Sequence, residues 1–254
     1  MKTQVAIVGL GVMGRAISKA ILKNDRGVRI FGVDKNNLNS AQTAENIKTS
    51  DFVILAVKPQ NAKEAIESVK RHIGKNSVLI SIMAGVPIKK LIFLSGRKKI
   101  IRMMPNLGLS VDQGVAVWRS AGLSKPEVRK AKNFLNKISY NFEVKNEDAI
   151  NKVTAISGGG PAYFFLLANC LVKACDSLGL ARDESRELVE RTFSASAVLA
   201  KGSDYSLLIK KVASHRGTTE AALKVFQKEN FGRIVLQAVR AAYKRANELS
   251  AENE

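Results

Sequence analysis

Apolar and polar positions along the chain follow two regimes. In the first, short apolar runs alternate with stretches of helical period. Gln4–Val8 is a short apolar strand, and Met13–Lys23 carries apolar residues at helical spacing. Val28–Val33 is β-rich, and a polar helix is expected near Leu38–Ile47. Phe52–Val57, "FVILAV", is continuously apolar, as a strand covered on both faces should be. Asn61–His72 reads as a helix, Ser77–Ile82 and Lys99–Met104 as strands, Val115–Trp118 as an edge strand, and Lys125–Lys137 as a helix. Strands alternating with helices predict a doubly wound parallel sheet of Rossmann type.

The second regime begins after Asn146. Helical segments are expected at Gly160–Leu178, Asp183–Lys201, Ser206–Val212, Thr218–Lys228 and Phe231–Leu249, with no strand among them. The fold class expected is therefore α/β plus all-α, with an α/β domain over 1–146 and a helical domain over 147–254. Several of the later helices are apolar over more than one face. That predicts self-association through this half, as a homodimer or a higher oligomer.

Composition refines this picture in three ways. A hydrophobic content of 46% over 254 residues is that of a chain burying a proper core. Cys170 and Cys175 stand five apart in one expected helix and point in different directions, which argues against a disulfide or a metal site. A reducing, cytoplasmic setting is expected. "MKTQVAIVGLG" reads as a strand entering a glycine turn rather than a signal peptide. The most apolar segment, Ala162–Val172, is expected to be too short to span a bilayer, so no membrane partner is expected.

The net charge of +19 favours anionic ligands. The basic residues are nevertheless scattered, with their densest cluster at Gly96–Arg102, "GRKKIIR". They carry no nucleic-acid motif and read as a solvated surface, so nucleic acid is not expected as a partner.

Candidate chemistry starts at "VAIVGLGVMGRAI". Gly9, Gly11 and Gly14 form G-x-G-x-x-G between a strand and a helix, and Asp34 lies twenty positions beyond Gly14. This is the dinucleotide-binding arrangement. Gly9 makes the tight turn, Gly11 lets backbone approach the pyrophosphate, and Gly14 lets helix and strand pack. Leu10, Val12 and Met13 complete the turn, whose helix start favours phosphate. A carboxylate at Asp34 suits both ribose hydroxyls of NADH and repels a 2′-phosphate, although Lys35 partly compensates. The cofactor expected is NAD(P)H, with NADH slightly favoured. Asp34 could alternatively just cap the helix after the second strand.

A second unusual stretch is "VTAISGGGPAYFFL" (153–166). Three glycines and a proline precede an apolar helix. Glycine permits close approach, and a helix start offers unpaired N–H groups. Ser157–Pro161 is thus expected to lie where a small anion or another backbone comes near.

Several motifs together resemble the pyrroline-5-carboxylate reductase family, over essentially the whole chain. They are "LAVKPQ" (Leu55–Gln60), "SIMAGVPIKKL" (Ser81–Leu91), "IRMMPN" (Ile101–Asn106), "SGGGPAY" (Ser157–Tyr163) and "GTTEAAL" (Gly217–Leu223). The resemblance implies reduction of the cyclic imine 1-pyrroline-5-carboxylate to L-proline by hydride from NAD(P)H. It places Ala56, Val57, Lys58, Pro59, Ala84 and Gly85 on the cofactor. It places Asn106, Ser157, Gly158, Gly159, Gly160, Ser214, Gly217, Thr218 and Thr219 on the substrate. The carboxylate would be held by N–H groups at Gly217–Thr219, and Thr219 would offer its hydroxyl to the imine nitrogen as the catalytic contact. The competing reading of Thr218 or Thr219 is a plain N-cap. No general acid is needed if the imine arrives protonated, and His72 and His215 show no metal-ligand spacing.

The chain departs from the family pattern at three places. Leu107–Gly108 follow M-P-N where the family usually has Thr-Pro. His215–Arg216 replace Pro-Gly before the threonine pair, and Thr43 stands where Asn is frequent. These departures keep three alternatives open: an imine reductase with another small substrate, a catalytically lapsed relative, or a nucleic-acid-associated protein.

Overall fold

Unbroken apolar runs require cover on both faces, and the sheet of the computed structural model provides it. The structure describes residues 2–34 and 36–252. Its strands are β1 (Gln4–Val8), β2 (Arg29–Val33), β3 (Phe52–Leu55), β4 (Val78–Ser81), β5 (Ile100–Pro105), β6 (Val115–Ala121) and β7 (Tyr140–Glu143), in the order β2-β1-β3-β4-β5-β6-β7. Residues alternate between the two faces. Val5 and Ile7 of β1 and Phe52 and Ile54 of β3 join one core with Ile17 and Ile21 of α1 (Val12–Asn24) and Phe134 of α5 (Lys125–Leu135). Ala6, Val8, Val53 and Leu55 join the other core, with Ile47 of α2 (Ala41–Thr49), Ile66 of α3 (Ala62–Val69) and Leu91 of α4 (Ile88–Ser95). Each such branched side chain contributes roughly 1.5–3 kcal/mol on burial.

The far half of the sheet departs from the sequence expectation. β6 runs antiparallel to β5, with Ile100 opposite Ala121 and Pro105 opposite Ala116. β6 is an interior strand, not an edge, because β7 pairs parallel to it. The β7 sequence, "YNFE", is largely exposed and lacks the apolar run that betrays a covered strand. Trp118 of β6 is fully buried and donates its indole N–H to Asn141 Oδ1 at 2.9 Å.

The glycine triplet also differs from expectation. α6 (Asp148–Val153) passes through a π-helical turn at Thr154–Gly158 straight into α7 (Gly160–Ser177). Gly159 N–H already donates to Thr154 O at 3.1 Å. No open helix start exists at the glycines. The widened turn at Thr154–Gly158 instead makes a π-bulge, a feature that recurs at functional sites. Continuity has a second consequence. The helical run Asp148–Ser177 is long and apolar enough to cross a membrane by length and composition, whereas Ala162–Val172 alone is not.

By contacts the chain divides into a unit of Met1–Pro161 with Ala241–Glu254 and a unit of Ala162–Arg240. The second unit is helical: most of α7, then α8 (Arg182–Ala200), α9 (Tyr205–Val212), α10 (Thr218–Lys228) and the first half of α11 (Phe231–Ala251). Only Ser185 and Val189 of its residues are buried. Phe164, Phe165, Leu188, Ile234 and Val235 are exposed. An apolar surface of this kind marks an interaction site.

Candidate active site

The carboxyl ends of β1 to β4 carry the predicted cofactor residues, at the edge where ligands of open α/β sheets bind. Gly9 has φ +96°, a left-handed backbone, and a Cβ there would stand 2.8 Å from Val57 and 2.9 Å from the Ala56 carbonyl oxygen. At Gly14 a Cβ would overlap the Gly9 carbonyl oxygen, so helix and turn pack backbone to backbone. At Gly11, the N-cap of α1, a Cβ would meet nothing within 4 Å. Leu10 and Met13 turn their side chains to the core, and Val12 is exposed. The turn is therefore tight behind, open in front, and headed by a helix start that no side chain caps. That shape fits a pyrophosphate.

Beside it lies a cleft of about 200 Å³ lined by residues including Gly9, Asp34, Val57, Asn61, Glu64 and Ser68. Asp34 Oδ1 accepts from the N–H groups of Asn36 at 2.9 Å and Asn37 at 3.2 Å, so this carboxylate both organises the turn after β2 and rims the cleft. Lys35 lies outside the described residues. Sequence reading missed Asn61, Glu64 and Ser68. Their i, i+3, i+7 spacing puts them on one helical face, and that was the available signal. Thr43 is buried, with its N–H donating to Ser40 Oγ at the start of α2.

Next along the edge, Ala56 N–H donates to Val8 O at 2.8 Å, and the exposed Lys58 leads into a short 3-10 turn at Pro59–Asn61. Ala84 is half-buried. Gly85 is buried at φ +69°, and a Cβ there would stand 2.6 Å from Cβ of Leu249. Packing against α11 accounts for that glycine.

The predicted substrate residues of the first unit come together around Asn106. Its Nδ2 donates to Ser157 Oγ at 3.3 Å, and its Oδ1 accepts from Val115 N at 3.1 Å. Gly158 lies beside Met104, where a Cβ would make ordinary contact at 3.4 Å. Gly159 continues the helical backbone, and Gly160, the first residue of α7, is buried but would leave an added Cβ nothing within 4 Å. Leu107 and Gly108 lie in the 3-10 turn that carries the chain from β5 toward β6.

In the second unit, the N-cap of α10 is Gly217 rather than a threonine, and no side chain caps it. Gly217 N–H donates to Ser214 O at 3.0 Å, and a Cβ would overlap Ser214 Oγ. The Gly217 amide is therefore engaged. Thr218 and Thr219, with Glu220, form the first turn, whose amides have no helical acceptor one turn back. Arg216 precedes them at φ +58°, exposed, with its N–H donating to Glu220. The Lys224 ammonium and then that Arg216 N–H hold the Glu220 carboxyl below its usual range. Among the described residues no cluster of three metal-ligating side chains exists.

A family model described as pyrroline-5-carboxylate reductase dimerisation matches residues 147–249, and one described as NADP oxidoreductase coenzyme F420-dependent matches 4–85. The chain is 34% identical to pyrroline-5-carboxylate reductase of Pseudomonas aeruginosa over 82% of its own length and 78% of that protein's. It is 30% identical to the Arabidopsis thaliana enzyme of that name, over 97% and 95%. The crystal structure of Plasmodium falciparum pyrroline carboxylate reductase with NADP bound superposes with a TM-score of 0.86 at 27% identity, covering 98% of this chain and 99% of that one.

Proposed function

The chain belongs to the pyrroline-5-carboxylate reductase family, and from that premise we propose which of its residues perform the reaction. The enzyme reduces 1-pyrroline-5-carboxylate to L-proline with NAD(P)H and self-associates through its helical half. The observation that carries the assignment is the near-complete match to reductases of this name, joined to a glycine turn shaped for a dinucleotide.

We assign the dinucleotide to residues 1–146 and, Asn106 apart, substrate binding and dimerisation to 147–254. Gly9–Gly14 hold the pyrophosphate through backbone N–H groups, and Asp34 with its cleft holds the adenosine ribose. Ala56–Pro59 with Ala84–Gly85 line the nicotinamide side. When bound, the nicotinamide supplies a hydride. The imine carbon gains that hydride, and its nitrogen arrives already protonated, so the protein's task is to hold the imine in place. The open amides of Thr218 and Thr219 support a role on the substrate carboxylate, and the Thr219 hydroxyl accepts from the protonated nitrogen. Asn106, Ser157 and Gly158–Gly160 line the ring side.

NADH is the preferred cofactor in this reading, because Asp34 and Glu64 both rim the ribose cleft and a 2′-phosphate would meet two carboxylates. The apolar face of α7 and α11 is the dimer surface rather than a membrane span, which the dimerisation model over 147–249 supports. The setting is cytoplasmic. The testing experiment is steady-state turnover of pyrroline-5-carboxylate beside other small cyclic imines, with each cofactor. Preference for pyrroline-5-carboxylate is expected. A better substrate among the others would overturn the substrate assignment.

A further inference from the structure

Among the described residues, Arg102 is the one buried arginine. It lies in the middle of β5, and its residue is 2% exposed. A guanidinium so placed needs partners, and it has them. Nη1 donates to Glu147 Oε1 at 2.8 Å, and Nη2 donates to Asn151 Oδ1 at 2.8 Å. Each partner reaches further. Glu147 Oε1 also accepts from Ile88 N–H, at the start of α4, at 2.8 Å. Asn151 Nδ2 donates to Asn247 Oδ1 at 2.9 Å and to Ser250 Oγ at 3.2 Å, both on α11. One buried cation thus ties together a central strand and three helices.

Buried ion pairs contribute little net stability, since apolar groups of like volume often do as well. What a planar, two-pronged donor fixes is geometry. Two elements it joins lead directly into the substrate side. From Arg102, β5 leads to Asn106, the residue just past its end. α6 runs from Asn151 into the π-turn at Thr154–Gly158. Asn106 and Ser157 meet at the far ends of these two arms.

We propose that Arg102 is a positioning residue for imine reduction, setting the spacing of β5 and α6 and thereby the placement of Asn106 and the π-turn glycines. This rests on the substrate assignment made above.

The test uses the full-length enzyme with Arg102→Lys, which keeps the charge but offers no planar fork, and with the double variant Arg102→Met/Glu147→Gln, which leaves no lone buried charge if the lysine variant folds poorly. Two readouts are needed. Cofactor dissociation constants should stay within about twofold, while KM for pyrroline-5-carboxylate rises at least about tenfold, the size expected for losing one charge-assisted hydrogen bond's worth of placement. Amide hydrogen exchange should quicken over 154–160 and 106–110 but not over 4–14.

Unchanged KM and kcat per cofactor-binding site, with only a lower melting temperature, would overturn the proposal. So would exchange that quickens evenly over the whole sheet. Wild-type enzyme inactive on pyrroline-5-carboxylate would instead sink the substrate assignment, and the exchange pattern would still decide the role of Arg102.

Discussion

The side chains of Asn106 and Ser157, 51 residues apart, meet at 3.3 Å and join the end of β5 to the π-turn before α7. Asn106 is also held from behind by Val115, so its amide is oriented before any substrate arrives. Ser157→Ala removes one hydrogen bond of this pair and leaves the Val115 contact. A stability loss of about 0.5–1.5 kcal/mol is expected. KM for pyrroline-5-carboxylate should rise several-fold at constant cofactor affinity. Thermal denaturation and steady-state kinetics on the same preparation separate the two effects.

Gly11 and Gly14 look alike in the sequence but differ in their surroundings. A Cβ at Gly14 would overlap the Gly9 carbonyl, so Gly14→Ala should push α1 from the sheet and cost about 1–3 kcal/mol. A Cβ at Gly11 meets no protein atom within 4 Å. Gly11→Ala should melt close to wild type yet bind NAD(P)H at least about tenfold more weakly, because the methyl stands where the proposed site places the phosphate. Melting curves with and without cofactor test both.

Asp34 organises the turn after β2 and, in the proposed site, also reads the cofactor ribose; one substitution separates the two. Asp34→Asn keeps an oxygen for the amides of Asn36 and Asn37 while removing the charge. The ratio of kcat/KM for NADPH over NADH should shift toward NADPH by about five- to tenfold, equivalent to roughly 1 kcal/mol. An unchanged ratio would show that the carboxylate does not read the 2′ position.

Arg216 holds a left-handed backbone at φ +58°, which costs a residue with a Cβ roughly 1–2 kcal/mol. Arg216→Gly relieves that cost but frees the unfolded chain, so a net gain of about 0.5–1 kcal/mol is expected in denaturant titration. The lowered pKa of Glu220 bears on the same loop. Its contribution is fully present above the unfolded value of 4.5 and is lost as pH falls through the folded value. Glu220→Gln should flatten the acid limb of stability, measured by chemical denaturation across that range.

Much of this molecule was legible because local chemistry and tertiary role coincide. "FVIL" is apolar throughout because β3 is covered twice, and G-x-G-x-x-G is legible because each glycine answers a separate steric demand. What was not legible depends on distant partners. β7 has an exposed sequence and exists because β6 offers it hydrogen bonds. The glycines at 158–160 read as a helix start, since nothing nearby reveals that α6 continues into α7 through a π-turn. Arg102 sits in an apolar run, "IIRMM", with no local hint that Glu147 and Asn151 wait 45 and 49 residues away. The Gly217 N-cap shows the same limit, because its amide is engaged by Ser214 in a turn the threonine pair does not announce.

Reduction here is hydride transfer to the imine carbon of pyrroline-5-carboxylate. The most direct test supplies nicotinamide cofactor deuterated at the transferring carbon and examines the product by mass spectrometry and NMR. The expected result is L-proline carrying a single deuterium at its C5. Absence of proline, or proline without the label, would contradict the account.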